Sequence, residues 1–576
     1  DNPAVTHLLV HELEARFREA VHSAFGLDAD PLVGPATNER FGDYQANVAM
    51  GLARQLSASG QKVAPRDVAQ RIIDHLAIND LAQDVSIAGP GFINVTLAPS
   101  VVEKRLLQMH ADERLLVPAA EKPERVVVDY SGPNIAKQMH VGHLRSTIIG
   151  DAISRVIEFL GHTVIRQNHV GDWGTQFGML IAYLDESNLP VDSHIEDLEE
   201  FYRAAKARFD ADPQFQEKAR QTVVRLQSGG EKERRLWQRI VEETRRHYLP
   251  IYERLGVRLT VNDERGESFY NDMLAEVVRE LQAAGIAVES DGAIVVFTSG
   301  YENPLLIRKS DGGYLYATTD LAAIRYRTQV LGATRIIYTH DSRQQQHFNQ
   351  VFEVARRAGW ANGVKLEYAP FGTMLGEDGK PFKTRSGDTV KLKDLLDEAE
   401  ERAFDLVSLK NPALPEKERR LIAKAVGIGG IKYADLSKDR LSDYVFSWEK
   451  MLALDGNTAP YLQYAHARIR SIFRKGQISD FGAAGIGLSD PAELRLGKQL
   501  LRFGEAIDAV SSELKPHILC AYLYELATRF TSFYERCPVL QAPEPIRSQR
   551  LTLCALTART IAQGLDLLGI EHPDQM

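Results

Sequence analysis

Two histidines three residues apart, His140 and His143, stand where a β-branched run gives way to a helical pattern. The stretch reads Asp129-Tyr-Ser-Gly-Pro-Asn-Ile-Ala-Lys137-Gln-Met-His140-Val-Gly-His143. At this spacing both imidazoles share one face of a helix's first turn. A helix N-terminus favours anions, and two imidazoles there can donate hydrogen bonds to phosphate oxygens as charge develops. Gly142 between them leaves room for a flat base to approach the backbone. A bare His-x-x-His is also the pattern of two surface residues or of half a metal site. A second basic run, Gly379-Lys-Pro-Phe-Lys-Thr-Arg-Ser-Gly387, gathers Lys380, Lys383 and Arg385; its plain reading is a solvated turn. Tyr316 and Asp320, four apart, are on their own an ordinary helix-surface pair.

Elements must hold these groups. Arg125-Val-Val-Val-Asp-Tyr130 suits a buried parallel strand, the turn Ser131–Asn134 follows, and apolar positions predict a helix from about His140 to Leu160, stopped by Gly161. Thr163–Gln167 then reads as a strand. This strand–helix–strand unit builds a doubly wound α/β sheet, whose ligands bind at that edge. Before it, Leu8, Leu9, Leu13, Phe17, Val21 and Phe25 predict a helix within 4–26, Ala64–Leu76 a second, and Val85–Leu97 two short strands around a turn. Residues 1–115 are thus expected to form a small α+β domain. Residues 185–250 are helical in pattern; over 201–250 there are 12 Lys/Arg against 7 Asp/Glu, a solvated face or a phosphate-facing one. Strand-like segments return at Ala293–Phe297, Tyr314–Tyr316 and Arg335–Tyr338. From about Pro412 the chain reads as mostly helical, with an apolar stripe along Leu551–Leu568.

The 576 residues are 44% hydrophobic and 26% charged, ordinary for a globular protein. There is no apolar run of the ~18 residues a membrane helix needs, and the start shows no secretory signal. The chain opens on Asp1, so a trimmed terminus is expected. Cys520, Cys537 and Cys554 are odd in number and form no C-x-x-C pair, which argues against a disulfide framework or a cysteine zinc site and for a reducing cytoplasm. The net charge of −9 argues against a generally basic nucleic-acid coat, but phosphates respond to local surface.

Ser-x-Pro-Asn-x-Ala-Lys-x-x-His-x-Gly-His-Leu-Arg-Ser-Thr after a strand resembles the ATP signature of class I aminoacyl-tRNA synthetases, in the form found in arginyl-tRNA synthetases. The likeness runs over the whole chain. It includes Gly42–Asn47, Gly89–Asn94, Gly171–Gln176, Tyr316–Asp320, Asp341–Gln345 and Asn457–Arg468, and it ends at Met576. The resemblance implies two steps: the arginine carboxylate attacks the α-phosphate of ATP, taken up with Mg2+, and the arginyl group then passes to the terminal adenosine of tRNA. It implies His140, Gly142 and His143 at ATP and Lys137 and Lys383 as pyrophosphate-side cations, with Arg385 an alternative because the second signature is degenerate here. In the pocket, Tyr316 and Asp320 would clamp the side chain, Asp129 would be a second acidic position, and Asn134 and Gln344 would hold polar groups, with Gln345 the alternative register. A permanently charged guanidinium demands carboxylates. No protein metal site is implied.

The same likeness implies tRNA contacts at Phe92 and Asn94 in the first domain and at Tyr461, Tyr464, Arg468 and Met576 in a C-terminal anticodon-binding bundle. The expected partition is 1–115, then a Rossmann-type catalytic domain at 116–445 with a helical insertion at about 185–260, then an all-α domain at 446–576. About 240 residues separate His143 from Lys380, short for a large editing module, and a pocket built on polar groups needs none. A monomer is expected. Alternatives are a class I enzyme for another amino acid and a non-catalytic RNA-binding paralogue. The first lacks the expected metal knuckles, and the second is opposed by the intact histidines.

Overall fold

A computed structural model describes residues 8–478 and 485–576. Near the N-terminus, strands β1 (Val33–Pro35), β2 (Tyr44–Ala46), β3 (Ala82–Ala88) and β4 (Phe92–Leu97) form an antiparallel sheet in the order β1-β2-β4-β3. The helix Leu9–Phe25 buries Leu9, Leu13, Phe17 and Val21, the spacing the sequence shows, and Gly26 ends it at φ 68°. Positions 4–7 of the expected helix lie outside the described residues. The helix Pro99–Ala111 then runs to the C-terminal bundle, where Arg559 donates to the carbonyls of His110 and Asp112.

The central sheet carries the candidate chemistry. Its strands are β5 (Arg125–Asp129) and β6 (Thr163–Gln167), followed in the chain by a separate antiparallel sheet of β7 (Val288–Ser290), β8 (Ala293–Val296) and β9 (Leu305–Arg308). Then come β10 (Arg335–Tyr338) and β11 (Lys365–Tyr368), and the order β11-β10-β5-β6 is parallel throughout. Val126, Val127 and Val128 have no exposed surface, because helices cover both faces; this explains the unbroken apolar run. The helix Val141–Phe159 crosses from β5 to β6. It packs so closely that a Cβ on Gly150 would sit 2.2 Å from the Tyr130 ring. The expected strand at Tyr314–Tyr316 is corrected: Tyr314 makes one isolated bridge to Arg308, and Tyr316 opens the helix Tyr316–Gln329.

Four helices, Gln176–Ser187, Leu198–Ala211, Pro213–Gln227 and Glu231–Leu255, form the insertion over the sheet's carboxyl edge. Strands β12 (Met374–Leu375) and β13 (Tyr444–Val445) pair in parallel. Between them run the helices Leu392–Lys410 and Glu416–Leu436. The C-terminal bundle comprises Ala459–Lys475, Pro491–Leu501, Phe503–Glu513, His517–Arg536 and Ile546–Leu567. That last helix is buried on nearly every side rather than along one stripe, because other helices surround it. Among the described residues no helix is long and apolar enough to cross a membrane, and no group of three or more His, Cys, Asp or Glu is arranged to hold a metal.

Candidate active site

His140 is the N-cap of the helix Val141–Phe159, and its Nδ1 accepts the Gly142 N–H at 3.1 Å. His143 Nδ1 accepts the His140 N–H at 3.3 Å, so each ring caps the helix end that carries the other. The ring centroids lie 4.2 Å apart. With both Nδ1 atoms accepting, the hydrogen-bond network assigns the proton of each neutral ring to Nε2. Burial lowers the His140 pKa. Burial, then the neighbouring His140, pushes His143 down to about 3. Near neutral pH the pair is therefore two uncharged N–H donors. A Cβ at Gly142 would meet the His140 ring at 2.7 Å, so glycine is required there.

The turn before the pair is held from several sides. Ser131 and Ala136 both take left-handed backbone, at φ 74° and 66°. The Ala136 N–H donates to Thr244 of the insertion at 2.9 Å, and Ser131 Oγ meets the buried Tyr252 hydroxyl at 2.6 Å. Asn134 pairs with Gly171, placing the Gly171–Gln176 motif against the signature turn. Within that motif Asp172 accepts from the Ser268 N–H and hydroxyl at 2.9 and 2.6 Å. Arg145, buried two residues beyond His143, bridges to Asp435 at 3.2 Å and donates to the Ser442 carbonyl.

The second basic loop is anchored beside the first signature. The Val141 N–H donates to the Val390 carbonyl and the Leu392 N–H to the Met139 carbonyl, both at 3.0 Å. At the other end the Phe382 ring packs tilted against Phe446, with 5.3 Å between centroids, and Phe446 meets Trp448 edge-on. Lys383 and Arg385 are fully on the outside, in a turn where Thr384 and Asp388 bond backbone to backbone at 2.8 Å. The Thr384 hydroxyl also accepts the Asp388 N–H. A cleft of about 830 Å³ is lined by Lys380, Phe382, Lys383, Arg402 and Trp448 among others.

Asp129 ends β5 beside Tyr338, yet its charge is already matched. Arg327, with no exposed surface, lies 2.8 Å from Oδ2, and His340 donates to Oδ1 at 3.2 Å. Burial would raise this carboxyl, but Arg327 and His340 hold it well below the usual range. Asp320 is less enclosed. Its Oδ2 meets His347 Nε2 at 2.5 Å, and Tyr316, 73% exposed, stands one turn before it. His347 is raised despite its burial by the bond to Asp320, whose own pKa is lowered against burial by the same contact. His169 lies within the field of both Asp129 and Asp320. Glu267 is pushed up to about 8 by burial and then by Asp172 and Asp320. Gln344 closes the turn before the helix Gln345–Arg357, while the Gln345 amide is tied to Asn349 along that helix.

Sequence reasoning missed Arg327, His340, His347, His169 and Glu267. Thr339-His340-Asp341 directly follows β10, and a histidine at the carboxyl end of a parallel strand was the available signal for His340. For Arg327 there was none, since a lone arginine in a helix reads as surface.

Among the outlying positions, Asn94 is only 2% exposed; its carbonyl accepts from Gln45 inside the N-terminal sheet, while its Nδ2 finds no partner among the described residues. Phe92, the first residue of β4, is half-buried two positions before it. Tyr461 leans on Tyr524, Tyr464 lies under Lys410 with Nζ 3.3 Å from its centroid, and Arg468 is exposed. The chain end is laid along the same helix: Gln463 donates to the Glu571 carbonyl and Arg474 to that of Asp574, which brings half-buried Met576 to the bundle.

A parallel sheet whose first crossover helix opens on a His-x-Gly-His cap, with a basic loop tied beside that cap, is the catalytic architecture of a class I aminoacyl-tRNA synthetase. A family model described as "tRNA synthetases class I (R), catalytic domain" matches residues 105–448. The "DALR anticodon binding domain" matches 462–576 and the "Arginyl tRNA synthetase N terminal domain" 11–97. Proteins named arginine–tRNA ligase from Synechococcus sp. and Escherichia coli are 52% and 50% identical, each covering 98% of this chain and 99% of theirs. Solved arginyl-tRNA synthetases superpose over 99% of the chain and all of theirs. That from Plasmodium falciparum does so at TM-score 0.89 and 30% identity, that from Thermus thermophilus at 0.84 and 26%. The chain belongs to the arginyl-tRNA synthetase family. It is an enzyme, an arginine–tRNA ligase, of a family that uses ATP.

Proposed function

We propose the following division of labour for forming arginyl-adenylate and then charging arginine tRNA. The Nε2–H groups of His140 and His143 donate to phosphate oxygens as charge builds on them, with Gly142 leaving the adenosine close to the backbone. Lys137 and Lys383, with Arg385 beside them, stabilise the departing pyrophosphate, which enters as ATP with Mg2+. No covalent enzyme intermediate is needed; positioning and fixed donors supply the acceleration. Asp320 takes the guanidinium under the Tyr316 ring, Asp129 offers polar acceptance rather than net charge, and Asn134 and Gln344 hold the substrate's amino and carboxylate end.

The observation that carries this reading is the pair of acids at the sheet's carboxyl edge. Asp129 is neutralised by the protein's own Arg327, whereas the ion-pair partner of Asp320 is His347, a histidine that can release its proton. One anion is thereby reserved for one substrate cation. Phe92, Asn94, Tyr461, Tyr464, Arg468 and Met576 belong to the tRNA-facing surface, and the chain divides at 1–115, 116–445 and 446–576. The chain acts as a monomer in the cytoplasm; its three buried, unpaired cysteines support a reducing compartment. Pyrophosphate exchange with each amino acid, with and without tRNA, tests the assignment. Arginine alone should support exchange, and Asp320→Asn should lose arginine much more than the neutral isostere citrulline. Equal losses would remove Asp320 from the side-chain pocket.

A further inference from the structure

Lys137 does not fold back on its own turn. Its Nζ lies 4.9 Å from the centre of the Tyr202 ring, on the insertion helix Leu198–Ala211. That helix is firmly seated. Asp197 caps it by accepting the Glu200 N–H at 3.0 Å, and Leu198, Phe201 and Ala205 are buried. Tyr202 itself is half-buried against the core, while Lys137 is exposed. Glu199, three residues before Tyr202 and so on the same face, reaches His140 electrostatically and is paired with Arg203 at 3.6 Å. One face of one insertion helix therefore addresses both Lys137 and His140.

A lysine ammonium on its four-carbon stem samples many rotamers. A carboxylate could pin it, but would cancel the charge the reaction needs. An aromatic face attracts the ammonium through its quadrupole and leaves the charge, and the N–H donors on the far side, available. Resting on the reading of Lys137 as a pyrophosphate-side cation, we propose that Tyr202 is a positioning residue for adenylation: its ring holds the Lys137 ammonium in place at the signature turn before ATP arrives. The insertion then contributes to the chemical step through one ring, although it lies outside the sheet that carries the site.

The test is pyrophosphate exchange, read as kcat and KM, on the full chain. Tyr202→Phe keeps the ring and should match the parent. Tyr202→Leu should lower kcat by about 2- to 30-fold, the span expected for a cation held over a ring, with KM for arginine unchanged. Combined with Lys137→Ala, it should add nothing to the loss that Lys137→Ala causes alone. Replacing Tyr202 by phenylalanines of increasing ring fluorination weakens the quadrupole at nearly constant shape, so kcat should fall stepwise along the series; this arm holds even where the leucine variant folds poorly. A fluorination series without slope, or losses from Tyr202→Leu and Lys137→Ala that multiply independently, would overturn the proposal. A parent-like Lys137→Ala would instead overturn the reading of Lys137 on which it rests.

Discussion

The turn that carries His140 and His143 and the loop that carries Lys383 flank the same site and are held differently. Around His140, left-handed residues at 131 and 136, hydrogen bonds to the Thr244 and Tyr252 hydroxyls, and a reciprocal imidazole cap hold the turn before substrate binds. Around Lys383, residues 383–389 are all exposed, and their hydrogen bonds run mostly within the loop. Only the stem is tied down, by Phe382 on one side and by Val390 against Val141 on the other. Fixed dipoles stabilise charge without reorganising, so the first region is suited to the developing transition state. The second presents exposed cations, which on the proposed reading would gain geometry as the pyrophosphate orders them.

The largest effect should come from the fixed region. In His143→Asn the amide occupies the Nδ1 position and can preserve the cap, but the Nε2–H donor is gone. The rate of adenylation should drop by about 10²- to 10³-fold, as for other lost oxyanion donors, with the thermal midpoint little changed. His143→Gln, which reaches the Nε2 position, should lose less. If the asparagine variant keeps parent activity, the cap is the whole role of His143 and the contrast collapses.

Lys383→Ala should cost less, about 10-fold in kcat, because an exposed side chain donates across partly solvated space. Stability should not move measurably, since the side chain supports no fold contact. The structure also limits a rescue: a lysine at position 384 removes the hydroxyl that accepts the Asp388 N–H. Thr384→Lys should therefore restore Lys137→Ala poorly, and a full rescue in exchange assays would show that the turn tolerates remodelling.

On the amino-acid side, arginine binding should tighten as pH rises. His347 holds a raised pKa through Asp320, and a guanidinium arriving at that carboxylate competes with the imidazolium. Binding therefore releases a proton, and affinity should increase by at most about tenfold per pH unit while His347 titrates. Calorimetry in buffers of different ionisation enthalpy reads the proton directly. Loss of the effect in His347→Asn would sharpen the assignment; an unchanged pH profile in that variant would break it.

The smallest effect concerns stability. His143 is depressed to about 3 against an ordinary value of 6.5, so the folded state binds fewer protons than the unfolded state between those limits. Its contribution is full above about pH 6.5 and is lost as pH falls toward 3. His143→Asn should flatten the acid side of the melting profile by a few degrees, about 1–3 °C. Lys383→Ala should leave that profile unchanged.

Spacing and residue type made the sheet, its crossover helix and the two basic segments legible, because a parallel strand covered on both faces must be continuously apolar and a helix start must expose N–H groups. The strand end at Asp129 and the helix start at the His-x-Gly-His pair could be placed from local periodicity, whereas Tyr316 and Asp320 stood out only through the resemblance to the family. The same locality misread Tyr314–Tyr316, since a β-favouring tripeptide cannot reveal that its last residue begins a helix. It could not show how deeply Asn94 sits, because a strand's two faces look alike until the sheet is packed and Gln45 donates to the Asn94 carbonyl. What only the tertiary structure decided was charge. Arg327 is 198 positions from Asp129 in sequence and 2.8 Å away in space, and that single contact leaves Asp129 matched by an arginine while Asp320 is paired with a histidine. Coulombic partners act across a few ångströms regardless of chain separation, so the pairing of buried charges is written in packing rather than in spacing.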